Sequence, residues 1–200
     1  MSAAPGVLLV FEGLDQSGKQ TQAERLRDAL TARGRAVLLA SFPDYATAIG
    51  QEIEAGLRGR REYTPDVMQL LYVANRHEWK PRLERHIAEG GIVVCDRYRA
   101  SSVAYGEAFG LDAAWLQSMQ QYLPTPALTV LLDIDPATAV QRKAADRDRF
   151  ERDRALQQRV RESYRRQAAA EGWLVLDGER DRALVAADVL TRVTALLASR

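Results

Sequence analysis

Cysteine occurs once in the 200 residues, at Cys95, so no internal disulfide can form and a cytoplasmic setting is the expectation. Lying in the apolar run Ile92–Asp96, that thiol reads as a small buried hydrophobe. Lysine is nearly as scarce, present at 19, 80 and 143, which makes the position of Lys19 informative. No apolar run reaches the length that spans a bilayer, and Met1-Ser2-Ala3-Ala4-Pro5 lacks the basic start of an export signal. A membrane partner is therefore not expected. Internal repeats and low-complexity linkers are missing too, and with 46% hydrophobic and 28% charged residues the chain should form one domain over residues 1–200 around one sizeable core.

Net charge is only +1, but it is unevenly spread. Arg142 to Arg166 carries ten basic residues against five acidic ones, a segment of +5 in a chain whose remainder is −4. The acids interleave with the bases and no aromatic residues are spaced along the run as stacking platforms, so nucleic acid is not the expected partner. What remains is a solvated helix with alternating charges or, over about 142–154, an anion-binding lid.

The chemistry begins at Gly13-Leu14-Asp15-Gln16-Ser17-Gly18-Lys19-Gln20-Thr21. Glycines five apart let the backbone curl so that successive N–H groups face a polyphosphate, the following helix adds its N-terminal dipole, and Lys19 supplies a full charge. The context suits a phosphate cradle: Val7–Phe11 is an apolar run of the kind buried in a parallel sheet, and Ala23, Leu26 and Leu30 mark one face of a helix. One position departs from the motif, because Gln20 stands where Ser or Thr usually follows the lysine.

Short apolar runs alternate with amphipathic stretches along the chain. They predict strands at Val7–Glu12, Ala36–Ser41, Ile92–Asp96, Leu128–Asp133 and Trp173–Leu176. Helices are predicted at about 18–32, 46–56, 65–89, 101–109, 113–122, 136–145, 149–170 and 182–199. This is an α/β pattern with parallel strands. Ligands collect at the carboxyl ends of such strands, which here carry Glu12-Gly13, Phe42-Pro43-Asp44-Tyr45, Asp96-Arg97-Tyr98 and Asp133. After the third strand, Asp96 can hold a metal-bound water and Arg97 can clamp a second phosphate with a planar fork; an isolated pair of this kind would read as a strand-end salt bridge.

Taken together, these residues resemble the thymidylate kinases, P-loop nucleoside monophosphate kinases. The resemblance rests on Phe11-Glu12-Gly13-Leu14-Asp15 leading into the P-loop, Phe42-Pro43, Ala74-Asn75-Arg76, Asp96-Arg97-Tyr98 with Ser101-Ser102 and Ala104-Tyr105, then Asp148-Arg149-Phe150-Glu151 and Arg159-Val160-Arg161 with Tyr164. It covers nearly the whole chain. It implies a three-layer sandwich with a five-stranded parallel sheet and an arginine-rich lid, and transfer of phosphate from ATP to dTMP, with Mg²⁺, on the route to dTTP. Homodimers are common in the family.

The resemblance also assigns roles. Gly13 to Thr21 would hold ATP and Arg142 would lie along its adenine, with Gln20 and Asp96 toward the metal. Asp15 would contact the 3′-hydroxyl of dTMP, Arg97 its phosphate, Arg76 a carbonyl of the base and Tyr72 the face of the thymine. Phe42, Tyr45, Ser101 and Ser102 would complete the acceptor site, and Tyr105 would lie beneath C2′, where a ribose hydroxyl would clash. The loop at Gly178-Glu179-Arg180 would close over the adenine through its backbone. Lys19, Arg97 and a lid arginine, Arg149 or Arg147, would neutralise the transferring phosphoryl group, since Gln16 places no arginine in the P-loop. Gly106 and Ala127 depart from residues frequent in the family. Read alone, Tyr72 is a core aromatic sharing a face with Met68 and Leu71. Two alternatives stay open: a kinase for another nucleoside monophosphate, and a nucleotide-binding module without catalysis.

Overall fold

Residues 6–142 and 153–200 are described by the computed structural model. Five parallel strands, β1 (Val7–Glu12), β2 (Val37–Ser41), β3 (Ile92–Asp96), β4 (Leu128–Asp133) and β5 (Leu174–Asp177), lie in the order β2-β3-β1-β4-β5. Val7 pairs with Ile92 and Leu9 with Leu128, so the first strand is central and both its neighbours come from far along the chain. Every residue of β1 is buried, the terminal Glu12 included, as a strand covered on both faces requires.

Helices α1 (Lys19–Thr31) and α8 (Arg182–Ala198) cover one face of the sheet. Ala23, Leu26, Leu30, Val185, Val189 and Val193 form a core there with Leu9 and Phe11. The other face carries α3 (Pro65–Ala88), α4 (Arg99–Ala108) and α7 (Arg154–Glu171). Two clusters lie beneath them, one around Ala104, Val160 and Tyr164 and one around Leu83, Tyr98 and Phe42. Short helices α2 (Ala48–Leu57), α5 (Ala113–Ser118) and α6 (Pro136–Arg142) complete the described residues.

The predicted elements are all present, and the shifted boundaries have local causes. Helix α2 starts two residues later than expected because the Thr47 side chain caps it, accepting from Gly50 N–H at 3.0 Å. Helix α5 stops early; the residues beyond it turn, and the Gln120 amide folds back to donate to the Leu116 carbonyl. Strand β5 starts at Leu174 rather than Trp173, whose N–H is used in closing α7 on the Ala168 carbonyl after Gly172 takes a left-handed conformation. Helix α4 starts two residues early, at Arg99, for a reason that belongs to the site.

Candidate active site

The loop between β1 and α1 is folded for anions. Gly13 has φ 142° and its Cα lies so close to β4 that an added Cβ would stand 2.5 Å from the Leu132 carbonyl oxygen. Gly18, at φ 95°, caps α1 without any side chain of its own, leaving the first amides of the helix for a ligand. Lys19 is 5% exposed, and its ammonium donates to the Leu14 carbonyl at 2.7 Å. Burial, reinforced by the Arg97 charge, pushes that ammonium down to about 8.

At the end of β3 the backbone is strained. Arg97 has φ 63°, a conformation unfavourable for any residue with a Cβ and concentrated at functional sites. Its N–H is held by the Phe11 carbonyl of the neighbouring strand at 2.9 Å. Its guanidinium donates to Asp15 Oδ1 at 2.6 Å, to the Gly13 carbonyl at 3.1 Å and to the hydroxyls of Ser101 and Tyr164. Tyr105 donates to the other Asp15 oxygen at 2.9 Å, and the Arg97 guanidinium lies 5.5 Å from the Tyr105 ring centre. Burial alone would raise the Asp15 carboxyl, but the Arg97 and Lys19 charges outweigh it and hold the group far below the usual carboxylate range.

Glu12 explains how this arrangement is fixed. It is fully buried at the end of β1 and accepts from the backbone N–H of Tyr98 at 2.8 Å and of Ser101 at 3.3 Å, and from the hydroxyls of Ser101 and Tyr164. A carboxylate from a strand thus caps α4, which is why the helix begins earlier than its own sequence suggests. The same carboxylate ties down Ser101 and Tyr164, two of the groups that orient Arg97. From sequence Glu12 is only a strand-end residue; its signal is a charged residue closing an otherwise apolar run.

Two cavities meet at this arginine. One, about 360 Å³, is lined by residues 15–22, Asp96, Arg97, Arg142, Gly178 and Arg180. Arg142 donates to the carbonyls of Gln16 at 3.1 Å and Gly178 at 3.0 Å, joining the loop after β1 to the loop after β5. Gln20 is exposed on the first turn of α1, where its amide nitrogen donates to Glu24 at 2.9 Å. Asp96 Oδ1 is buried and has no hydrogen-bond partner among the described residues. Gly13 and Leu14 are absent from this lining and contribute through the backbone, as carbonyl acceptors for Arg97 and Lys19.

The second cavity, about 420 Å³, collects Asp15, Phe42, Tyr45, Tyr72, Arg76, Arg97, Ser101, Ser102 and Tyr105. All nine residues assigned to the acceptor from sequence therefore line one cavity. Phe42 is buried and followed by a cis peptide bond to Pro43, whereas Tyr45 is 44% exposed at the rim. Tyr72 is half-buried in the wall, so the core reading of this residue gives way to a cavity-facing one. Arg76 is 3% exposed and donates to Ser102 Oγ at 2.8 Å and Gln120 Oε1 at 3.3 Å. Burial pushes its basicity down, and it forms no ion pair among the described residues, so a buried cation faces this space with its charge unneutralised by any direct contact.

Tyr63, Met68 and Gln69 also line this second cavity, although sequence patterns do not single them out. Gln69 carries a readable signal, an amide on the apolar side of α3 three residues before Tyr72. Cys95 is buried and burial drives its thiol upward, as an inert core residue should behave. Arg147 and Arg149 lie outside the described residues, with most of the lid segment.

Comparison with known proteins agrees with this geometry. The sequence profile of the Thymidylate kinase family matches residues 11–189. The thymidylate kinase of Danio rerio is 35% identical over 184 residues, covering 90% of this chain and 86% of the relative. That of Desulforudis audaxviator is 38% identical over 208 aligned positions, covering 98% and 93%. A solved thymidylate kinase from Candida albicans superimposes with a TM-score of 0.84 at 25% identity, covering 96% of this chain and 92% of that one. The family model and these relatives cover most of the chain, and the chain belongs to the thymidylate kinase family.

Proposed function

We propose that this chain transfers the γ-phosphoryl group of ATP to the 5′-phosphate of dTMP, giving dTDP and ADP, with ATP in the cradle cavity and dTMP in the cavity of Tyr72 and Arg76. The observation that carries this reading is Arg97, whose guanidinium stands in the wall of both cavities and is held there by Asp15, Gly13, Ser101 and Tyr164. A cation at that junction can hold the acceptor phosphate in line with the donor and offset charge on the transferring group, which is most of what this reaction asks of a protein. Lys19 and the amides at the start of α1 hold the donor phosphates. Asp15 orients Arg97 and reaches the sugar, and Tyr105 closes the space beneath it against a 2′-hydroxyl.

Mg²⁺ is part of the proposal. Asp96 fits it, because a buried carboxylate oxygen without a partner is suited to receive a metal-bound water, and the Gln20 side-chain oxygen is a second, weaker candidate. Bound there with the phosphates, the ion would neutralise their charge. No group of three or more His, Cys, Asp or Glu side chains forms a metal cage among the described residues, so the substrate oxygens and water would supply the remaining ligands. The lid over about 142–154, with Arg149 and Arg147, is assigned the transition-state charge and the exclusion of water. A homodimer, a single functional domain over 1–200 and a cytoplasmic place of action complete the reading. Cys95 as a buried lone thiol supports the last of these, and no described helix is long and apolar enough to cross a membrane.

The test is incubation with ATP, Mg²⁺ and each nucleoside monophosphate in turn, following ADP. dTMP is expected to be the best acceptor and its ribonucleotide analogue poor. A better rate with AMP, GMP or CMP would reassign the substrate, and ADP formation with none would leave a binding module.

A further inference from the structure

Among the described residues, two buried polar side chains have no exposed surface at all, Glu12 and Asn75. Glu12 fixes the Arg97 side of the site. Asn75, on α3, does not line the cavity and is bonded instead to the loop between β2 and α2. Its oxygen Oδ1 accepts from the Asp44 N–H at 2.8 Å, and its amide nitrogen lies in donating reach of the Asp44 carbonyl at 3.2 Å, of Thr47 Oγ1 at 2.9 Å and of Glu78 Oε2 at 2.9 Å. One side chain thus holds the middle of the loop and the threonine that caps α2. A turn further along α3, Trp79 donates to Asp44 Oδ2 at 2.8 Å, and its ring meets that of Phe42 edge-on with centres 6.0 Å apart. The seat is close: a Cβ added to Gly50, in the first turn of α2, would stand 1.8 Å from the Asp44 carbonyl oxygen.

The loop held in this way is a wall of the second cavity, to which it contributes Phe42, Pro43 and Tyr45. We propose that Asn75 is a positioning residue for the acceptor: it ties the loop wall to α3, so that the space for the nucleotide is set before the nucleotide arrives. Trp79 is a second tie on the same loop, through Asp44. This rests on the reading of the cavity as the thymidylate site. With the tie removed, the loop would have to order on binding, and acceptor affinity would fall in proportion to the fraction of molecules with the wall in place. No residue of this loop lines the cavity at the cradle, so binding of ATP should not feel the change.

The experiment measures kcat and the KM of each substrate for Asn75→Ala and Trp79→Phe, with folding checked by the thermal transition and with dTMP and ATP also titrated separately into each protein. Asn75→Ala should weaken dTMP about tenfold in both KM and direct binding, the scale of re-ordering one or two loop residues. Its kcat and its KM for ATP should stay within about twofold of the native values, since ground state and transition state lose the same wall. Trp79→Phe deletes one hydrogen bond and keeps a ring beside Phe42, so it should show the same split at about two- to fivefold. A residue that only stabilises the fold would lower the thermal transition and leave the two substrates equally affected. Equal weakening of dTMP and ATP, or unchanged dTMP binding in a folded Asn75→Ala protein, would overturn the proposal. If Asn75→Ala does not fold, Trp79→Phe decides by the same criteria. Failure of the native protein to phosphorylate dTMP would instead defeat the assignment of the substrate, and the split would then be read with the acceptor that is used.

Discussion

The cavity at the cradle, proposed for the donor, is built from a continuous stretch of backbone, residues 15–22, whereas the cavity proposed for the acceptor is built from side chains that reach it from the loops after β1 and β2, from α3, from the strained turn after β3 and from α4. The contrast follows from the ligands. A polyphosphate presents the same oxygens whatever nucleoside carries it, so amides, a helix dipole and one lysine suffice, and two glycines determine the shape. A base must be told from other bases, which takes buried side chains with defined donors and acceptors. Arg97 belongs to both, and its geometry is determined by Glu12, Asp15 and Tyr164 rather than by its own neighbours in sequence.

The largest effect is expected where the two sites must act as one. If charge on the transferring group is neutralised from the lid, Arg149→Ala should lower kcat and kcat/KM together by roughly 10³-fold, on the scale of arginine fingers, with a smaller change in ATP affinity. Arg147→Ala should be the milder of the two. Steady-state and single-turnover kinetics decide it. Near-native turnover in both variants, with only weakened nucleotide binding, would make the lid a clamp and move the catalytic charge back to Arg97 and Lys19.

The next effect is confined to the acceptor side. Tyr105 donates to Asp15 and lies beneath the Arg97 guanidinium, so its ring and its hydroxyl have separable roles. Tyr105→Ala should relax discrimination between deoxy- and ribonucleotide acceptors by about 10- to 100-fold, the range a steric contact can supply. Tyr105→Phe keeps the ring and should keep the discrimination while slowing turnover, since Asp15 loses one of its two partners. Ratios of kcat/KM for dTMP and the ribose analogue measure both. An unchanged ratio in Tyr105→Ala would place the source of deoxyribose selectivity elsewhere.

The same contrast governs how much of the molecule is legible in its sequence. The cradle is legible because its spacing is its geometry, and the strands are legible because an all-apolar run such as Val7–Phe11 suits only a covered sheet. All nine residues are reached as well, but through resemblance, since nothing in local periodicity tells that the face of α3 carrying Met68 and Tyr72 lines a cavity rather than a closed core. Glu12 is legible only as a charge closing an apolar run, because its importance lies in partners that are distant in sequence. The cap that Glu12 gives α4 spans 86 positions, and no window along the chain contains both ends.

The smallest effect separates the two cavities by their protons. Lys19 is held near pH 8 by burial and by Arg97, so above that pH the free protein increasingly carries a neutral amine. Polyphosphate in the cradle favours the ammonium and raises its pKa, and binding of ATP must therefore take up a proton wherever the free amine is neutral and the bound one charged. The sign follows: ATP affinity should be flat at about pH 7 and fall as pH rises past 8, by at most tenfold per pH unit, the limit for about one proton taken up. On the acceptor side Asp15 is held far below this window and Arg97 well above it, so dTMP binding should take up no proton there. Isothermal titration of each nucleotide between about pH 7.5 and 8.5, below the range where the thymine ring itself loses a proton, in two buffers of different ionisation enthalpy, reads the proton count directly. Uptake should appear for ATP, vanish in Lys19→Met, and stay absent for dTMP. Proton uptake on dTMP binding, or its persistence for ATP in Lys19→Met, would mean that the titrating group belongs to the shared arginine junction, and the electrostatic separation of the two cavities would fail.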